Sequence, residues 1–370
     1  MKINDFLCEQ WMTEYETEAI YNMTDTSFQA LSLQELLSME EGFPQDLILD
    51  YGEITGKKAL KQEILKLYQT GNEENIVCFP GALNANQHVM DALLQAGDHV
   101  IAFVPGYQQF YDYPLSLGCE VTCLSFHEEQ DWKFSMDEVK ESIRKNTKMI
   151  VLASPSNPTG TMLTKQEWQQ LIELCAKNAI YILCDEVYRG LDIEKTISVS
   201  DLYEFGISTS SLSKIFSLPG LRLGWVKAAP FIIDQLVIRR DYTMISTGPL
   251  LDHLGWIALK NKEKILERNR AILKANQMTL KSWLQENKEF SVVLNEFSPV
   301  VFLKYNMDIP SAALCTQVLK EKGIFFVPGT CFGREYHVRL GLGRDPKQFE
   351  NGLKLFAKWS KEALKKTYFS

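Results

Sequence analysis

Two hydrophobic spacings alternate along the first two-thirds of the chain. In "KKALKQEILKLYQ", residues 57–69, Leu60, Ile64, Leu67 and Tyr68 recur at helical spacing on one face. "ANQHVMDALLQAGDHVIAFV", residues 85–104, reads as a helix stopped at Gly97 and followed by a buried apolar strand. "EVTCLSF" (120–126) and "KMIVLASP" (148–155) are short apolar strands. In "TKQEWQQLIELCAKN" (164–178), Thr164 and Glu167 form a capping box that opens an amphipathic helix. "AIYILCDEVY" (179–188) then returns to strand character. Strands apolar on both faces and separated by helices predict an α/β fold, with a mostly parallel sheet covered on both sides.

The pattern changes after Gly255. A long charged helix over 261–287 precedes short strands such as "PVVFLKYN" (299–306), another helix and "HVRLGLG" (337–343). This predicts a second, smaller α+β domain built from both termini: residues 1–44 and 256–370 small, 45–255 large. No internal repeat, low-complexity tract or long linker interrupts the chain.

With 370 residues, 45% of them hydrophobic, the chain is long enough for two cores. A net charge of −8 disfavours non-specific nucleic-acid binding. Apolar runs such as "MIVLA" (149–153) are far too short to span a bilayer. The start, "MKINDFLCEQ", carries acids where a secretory leader needs a cationic start and an apolar stretch, so a cytoplasmic protein is expected. Eight cysteines at irregular spacings, with no second pair at metal-ligand distance, read as reduced structural thiols, and no metal is expected.

In such a sheet, ligands collect beyond the carboxyl ends of the strands. After "NIVCF" comes "PGALNANQ": Gly81 turns into a helix whose free N–H groups at Ala82 and Leu83 favour a phosphate, although many strand-to-helix turns carry glycine. After "HVIAFV", Tyr107 can lie against a flat heterocycle or simply pack. After "KMIVLA", Asn157 in "SPSNPTG" is either a turn residue or an amide aimed at a ring hydroxyl. Asp185 closes "AIYILCD", where an unpaired carboxylate costs several kcal/mol. Its partner is Arg189, a helix start, or a protonated pyridine nitrogen, which Tyr188 also reaches. Finally, "STSSLSKIFSLPGLRLGW" (208–225) sets Lys214 among serines with Arg222 eight positions on. Alone, this is a surface lysine in a serine-rich loop. As a site, its neutral amine forms a Schiff base with an aldehyde, while Ser211 and Arg222 bond a phosphate. The set, in this order, is what pyridoxal phosphate requires.

With "SNPTG", "DEVY" and "SLSKIFSLPGLRLGW" in place, the chain resembles the class I/II aminotransferases of the pyridoxal-phosphate fold-type I (aspartate aminotransferase-like) superfamily over nearly its whole length. The resemblance implies a seven-stranded large-domain sheet, with Lys214 as Schiff-base lysine and proton shuttle and Asp185 as pyridinium partner. Asn157 and Tyr188 would bond the ring hydroxyl, and Tyr107 would stack on the ring. Gly81, Ala82, Leu83, Ser211 and Arg222 would surround the phosphate. "DYGEITGKKALKQEI" (50–64) matches a family segment whose tyrosine, here Tyr51, reaches the partner subunit's phosphate, implying a homodimer with shared sites. "HVRLGLG" implies Arg339 as the binder of the substrate α-carboxylate.

The implied activity is ping-pong transfer of an amino group between an L-amino acid and a 2-oxo acid. A carbon–sulfur β-lyase, or elimination, cyclisation or oxidation of a cationic amino acid, would use the same residues. A non-catalytic sensor is a further alternative, disfavoured by the acidic balance. The N-terminal strand departs from the family: "YNMTDTS" (21–27) puts Thr24 and Asp25 where glycine is common. Asp25, helped by Glu16 or Glu18, is expected to favour arginine or ornithine unless it caps the following segment. "IRRDYTM" (238–244) offers Arg239 and Arg240, but neither is assigned a side-chain carboxylate.

Overall fold

The computed structural model describes residues 2–192 and 195–368. Its main sheet has seven strands: β1 Ile76–Phe79, β2 His99–Val104, β3 Glu120–Ser125, β4 Thr147–Ala153, β5 Tyr181–Asp185, β6 Gly206–Ser211 and β7 Gly224–Lys227. They lie side by side in the order β1-β7-β6-β5-β4-β2-β3. β7 runs antiparallel to both β1 and β6, and all other neighbours are parallel. The mostly parallel α/β sheet expected from the alternating pattern is therefore present.

Alternation at period two sends successive side chains to opposite faces. Met149 and Val151 join one apolar cluster with Val100, Ala102 and Leu183. Ile150 and Leu152 join another with Ile101, Phe103 and Ile182. Helix α2 (Ala82–Leu93, α1 being Leu7–Tyr15) covers the first face through Ala85, Val89 and Met90. Helix α3 spans Gln109–Ser116. Helix α4, Lys165–Ala176, covers the second face through Trp168, Leu171 and Cys175. Thr164 caps α4 with both halves of the capping box formed. The helix stops two residues before the expected Asn178, and the turn there carries Ala179 at φ 49°.

The C-terminal part holds the long α5, Lys262–Glu286, and α6, Pro346–Tyr368. Beside them runs a four-stranded antiparallel sheet of β8 Phe290–Ser291, β9 Val300–Tyr305, β10 Val327–Pro328 and β11 His337–Gly341. A short parallel pairing of Tyr21–Asn22 with Ile324–Phe325 joins the N-terminal segment to this part. Helix α1 contacts both the large-sheet region and the C-terminal part. The Gln108 side-chain carbonyl accepts from Leu7 N at 2.8 Å, and Trp11 Nε1 donates to Phe326 O at 2.9 Å. Among the described residues no helix is long and apolar enough to cross a membrane, and all eight cysteines are free.

Candidate active site

The carboxyl edge of the large sheet opens into a cavity of about 320 Å³, lined by Ala82, Leu83, Tyr107, Asn157, Asp185, Tyr188, Ser211, Lys214 and Arg222, among others. Nine sequence-selected residues thus meet in one space, although the chain separates the first from the last by 140 positions.

One end of the cavity is built for an anion. Gly81 N-caps α2 at φ 88°, and a Cβ there would stand 2.7 Å from Arg222 Nη2. The glycine therefore lets the guanidinium lie against the start of the helix. The first N–H groups of α2 have no partner within the helix, which favours negative charge beside them. Arg222 belongs to this edge because β7 is reversed: the residue entering β7 sits where other strands end. It is left-handed at φ 50°, and Nη1 donates to Ser213 Oγ at 3.3 Å and Pro219 O at 3.0 Å. Ser211 Oγ accepts from Ser213 N at 3.3 Å.

Asp185 lies deeper, 7% exposed. Its carboxylate accepts from Asn86 Nδ2 at 2.7 Å and from Val187 N at 3.1 Å. Thr209 Oγ1 donates to Asn86 Oδ1 at 2.5 Å, fixing which end of that amide faces the acid. Burial outweighs these bonds and lifts the Asp185 carboxyl from 3.8 to about 6. Arg189 does not relieve it. Its Nε donates instead to Glu186 at 2.5 Å, inside a buried network with Ser198 and Ser208. Among the described residues no cation stands within ion-pair distance of Asp185.

Lys214 Nζ donates to Thr26 Oγ1 at 2.8 Å, which brings the N-terminal segment over the cavity. Asn157 is buried, and its Oδ1 has no hydrogen-bond partner. Tyr107 donates its hydroxyl to Glu9 Oε1 at 2.9 Å, and burial drives its phenol well above the ordinary value of 10.0.

Arg339, on β11, is 5% exposed, and among the described residues it donates only to weak or neutral acceptors. Nε donates to Thr24 Oγ1 at 3.2 Å, Nη1 to Cys8 Sγ at 3.4 Å and Nη2 to Met12 Sδ at 3.8 Å. Sulfur is a poor acceptor, so this guanidinium is short of a carboxylate.

Several residues that the sequence singled out stand elsewhere. Asp25 is not among the cavity residues. Its Oδ1 accepts from Ser27 N at 2.9 Å and its Oδ2 faces Arg344 Nη1 at 3.3 Å, so the capping reading replaces the substrate-binding one. Glu16, offered as its helper, accepts instead from Asn22 Nδ2 at 2.9 Å. Tyr51 is 66% exposed and outside this chain's cavity. Arg240 is fully buried, donates to Ile54 O and is not among the cavity residues.

Sequence reasoning passed over Asn86, Thr26, Ser213 and Glu9. A signal for Asn86 existed: a polar residue on the apolar face of α2, five positions past the glycine. The other three are brought in by long-range packing and carry no local mark.

The chain matches the aminotransferase class I and II family over residues 44–356. A solved pyridoxal-phosphate-dependent aminotransferase from Streptococcus suis superposes with a TM-score of 0.94 at 36% identity, covering 98% of this chain and 99% of that one. Capreomycidine synthase from Streptomyces vinaceus is 22% identical over 95% of this chain and 91% of its own length. An aspartate aminotransferase from Sulfurisphaera tokodaii is 24% identical over 86% and 82%.

Proposed function

Since the chain belongs to the class I and II aminotransferases, whose cofactor is pyridoxal phosphate, we propose that it moves an amino group between an L-amino acid and a 2-oxo acid at the cavity around Lys214. The observation that carries this reading is Asp185, a buried carboxylate with no cation beside it, sharing one cavity with Lys214 and Arg222. The residues present suit the cofactor. The Asn157 oxygen lacks a donor, Asp185 lacks a cation, and the Gly81–Arg222 cradle would be filled by a Cβ.

When bound, pyridoxal phosphate supplies an aldehyde that condenses with amines and a protonated ring that accepts electrons. The chain does the rest. Arg222, Ser211 and the amides of Ala82 and Leu83 hold the phosphate. Asp185 keeps a proton on the ring nitrogen, its own charge oriented by Asn86. Asn157 and Tyr188 hold the ring hydroxyl, and Tyr107 covers the ring face. Arg339 binds the substrate α-carboxylate, exchanging sulfur acceptors for charged oxygens. Lys214 then takes the proton from the α-carbon on its Nζ and returns one.

We also take the molecule to be a homodimer in which Tyr51 serves the neighbouring site, with residues 45–255 as the large domain and 1–44 plus 256–370 as the small one. Ile48, Leu49, Tyr51, Tyr242 and Ile245 are exposed, and a Cβ on Gly52 would stand 3.1 Å from Pro249 Cγ, so both segments share one face. An apolar patch of this kind marks a partner surface.

The likeness to capreomycidine synthase keeps a second reading in view, cyclisation or elimination on the same residues. A single-turnover assay separates them. Transamination gives one 2-oxo acid per site with an amino acid alone and continuous turnover only after a 2-oxo acid acceptor is added. Continuous product release without an acceptor would refute it.

A further inference from the structure

Glu9 has no role in the scheme above, yet it lines the same cavity as Lys214 and Asp185. It sits, exposed, in the first turn of α1, and among the described residues its side chain has one hydrogen-bond partner, the Tyr107 hydroxyl on Oε1. Among the described residues no Lys, Arg or His stands within ion-pair distance of this carboxylate. The other charges of the cavity all have tasks under the proposed function. Arg222 takes a phosphate, Lys214 the aldehyde and Asp185 a ring cation. One negative charge is left over.

Its place on α1 says what that charge faces. Cys8 and Met12, four residues apart and so on one face of the helix, both touch the Arg339 guanidinium. Glu9 follows Cys8, and successive helical residues point about 100° apart, from 3.6 residues per turn. Glu9 therefore stands beside this face, three residues before Met12, where its charge is felt by Arg339 while its Oε1 meets the Tyr107 hydroxyl at the cavity. Since α1 lies against Arg339 and also carries Glu9 at the cavity, a substrate held at Arg339 by its carboxylate would have the Glu9 carboxylate close at hand.

Resting on the aminotransferase reading, we propose that Glu9 is the specificity residue of this enzyme, selecting amino acids whose side chain ends in a guanidinium or an ammonium group. The carboxylate pairs with that cation while still accepting from Tyr107. It takes the task that Asp25, spent on Arg344 and Ser27, does not perform.

The test uses holoenzyme and two matched pairs: L-arginine against its neutral isostere L-citrulline, and L-ornithine against L-norvaline. Dissociation constants come from titrating the cofactor absorbance, and kcat/KM from turnover with pyruvate as acceptor. The wild type should favour the cationic member of at least one pair by about tenfold to a hundredfold, the worth of one charged hydrogen bond. Glu9→Gln keeps an acceptor for Tyr107 but removes the charge. It should bring that ratio close to one by weakening the cationic substrate, with the neutral one changed by less than about threefold. Ratios near one in the wild type for both pairs overturn the proposal, and so does a preference that survives Glu9→Gln. An equal fall for cationic and neutral substrates also overturns it, since Glu9 would then serve Tyr107 alone. Turnover of neutral amino acids only refutes this inference and leaves the aminotransferase reading standing. No spectral response to any amino acid refutes both.

Discussion

Replacing Asp185 by asparagine should act in opposite directions on the cofactor-free protein and on the enzyme. Burial raises this carboxyl from 3.8 to about 6, so the folded chain holds its proton more tightly than the unfolded chain does. The stability linked to it is complete below pH 3.8 and is lost as pH rises through about 6. A shift of roughly two units corresponds to about 3 kcal/mol in all, of which about 2 kcal/mol falls between pH 4.5 and 7.5. Asp185→Asn removes this dependence. The new amide oxygen accepts from either Asn86 or Val187 but not both, a loss of about 1–2 kcal/mol that does not vary with pH. The assay is denaturant unfolding of cofactor-stripped wild type and variant across that range. Their difference isolates the one group, because every other titration is shared. Wild type should lose about 2 kcal/mol relative to the variant on going to pH 7.5. Parallel profiles would refute the claim that Asp185 stands buried without a cation. In the enzyme the same change leaves a ring cation unpaired, so activity should fall by 2–5 kcal/mol, roughly 30-fold or more.

Asn86→Ala removes the donor that Thr209 orients toward Asp185; cofactor affinity should drop roughly tenfold, read by titrating cofactor-stripped protein. Gly81→Ala forces a left-handed backbone and crowds Arg222, and should cost about 1–3 kcal/mol of stability together with weaker phosphate binding. Arg339→Lys loses the planar fork and should reduce kcat/KM roughly a hundredfold, mainly through KM, with little change in the cofactor spectrum. If Tyr51 serves the neighbouring subunit, an equimolar mixture of re-associated Tyr51→Ala and Lys214→Ala chains should recover about a quarter of wild-type activity, since half the dimers carry one intact site; no recovery on mixing would place Tyr51 outside the shared site.

The sequence exposes what sits at the end of a strand and hides what a distant element brings. Asp185 closes one apolar strand, Asn157 follows another and Lys214 follows the serine-rich strand β6, so a parallel sheet brings them to one edge whatever the loops do. Asn86 lies 99 positions from Asp185, and its amide is oriented by Thr209, a third element. Asn86 is marked only as a polar residue on the apolar face of α2, and Thr209 carries no local mark of the contact. Glu9 and Thr26 reach the cavity only because α1 and the N-terminal segment fold across both bodies. Asp25 takes the capping alternative that the sequence offered, while its other partner, Arg344, is 319 positions away and carries no local mark. Arg239 and Arg240, which the sequence leaves unassigned, part company in the fold: Arg239 is exposed and Arg240 is fully buried.

The reversed strand β7 carries one more consequence. It makes the chain double back between β6 and β7, so that Lys214 and Arg222, proposed to hold the aldehyde and the phosphate, belong to one uninterrupted peptide loop. Their span is a local ruler, calibrated by a dozen residues and insulated from any shift of the C-terminal body. Lengthening that loop by even one residue would spoil the grip, whereas a swing that carried Arg339 toward or away from the edge would change only how the visiting molecule is held.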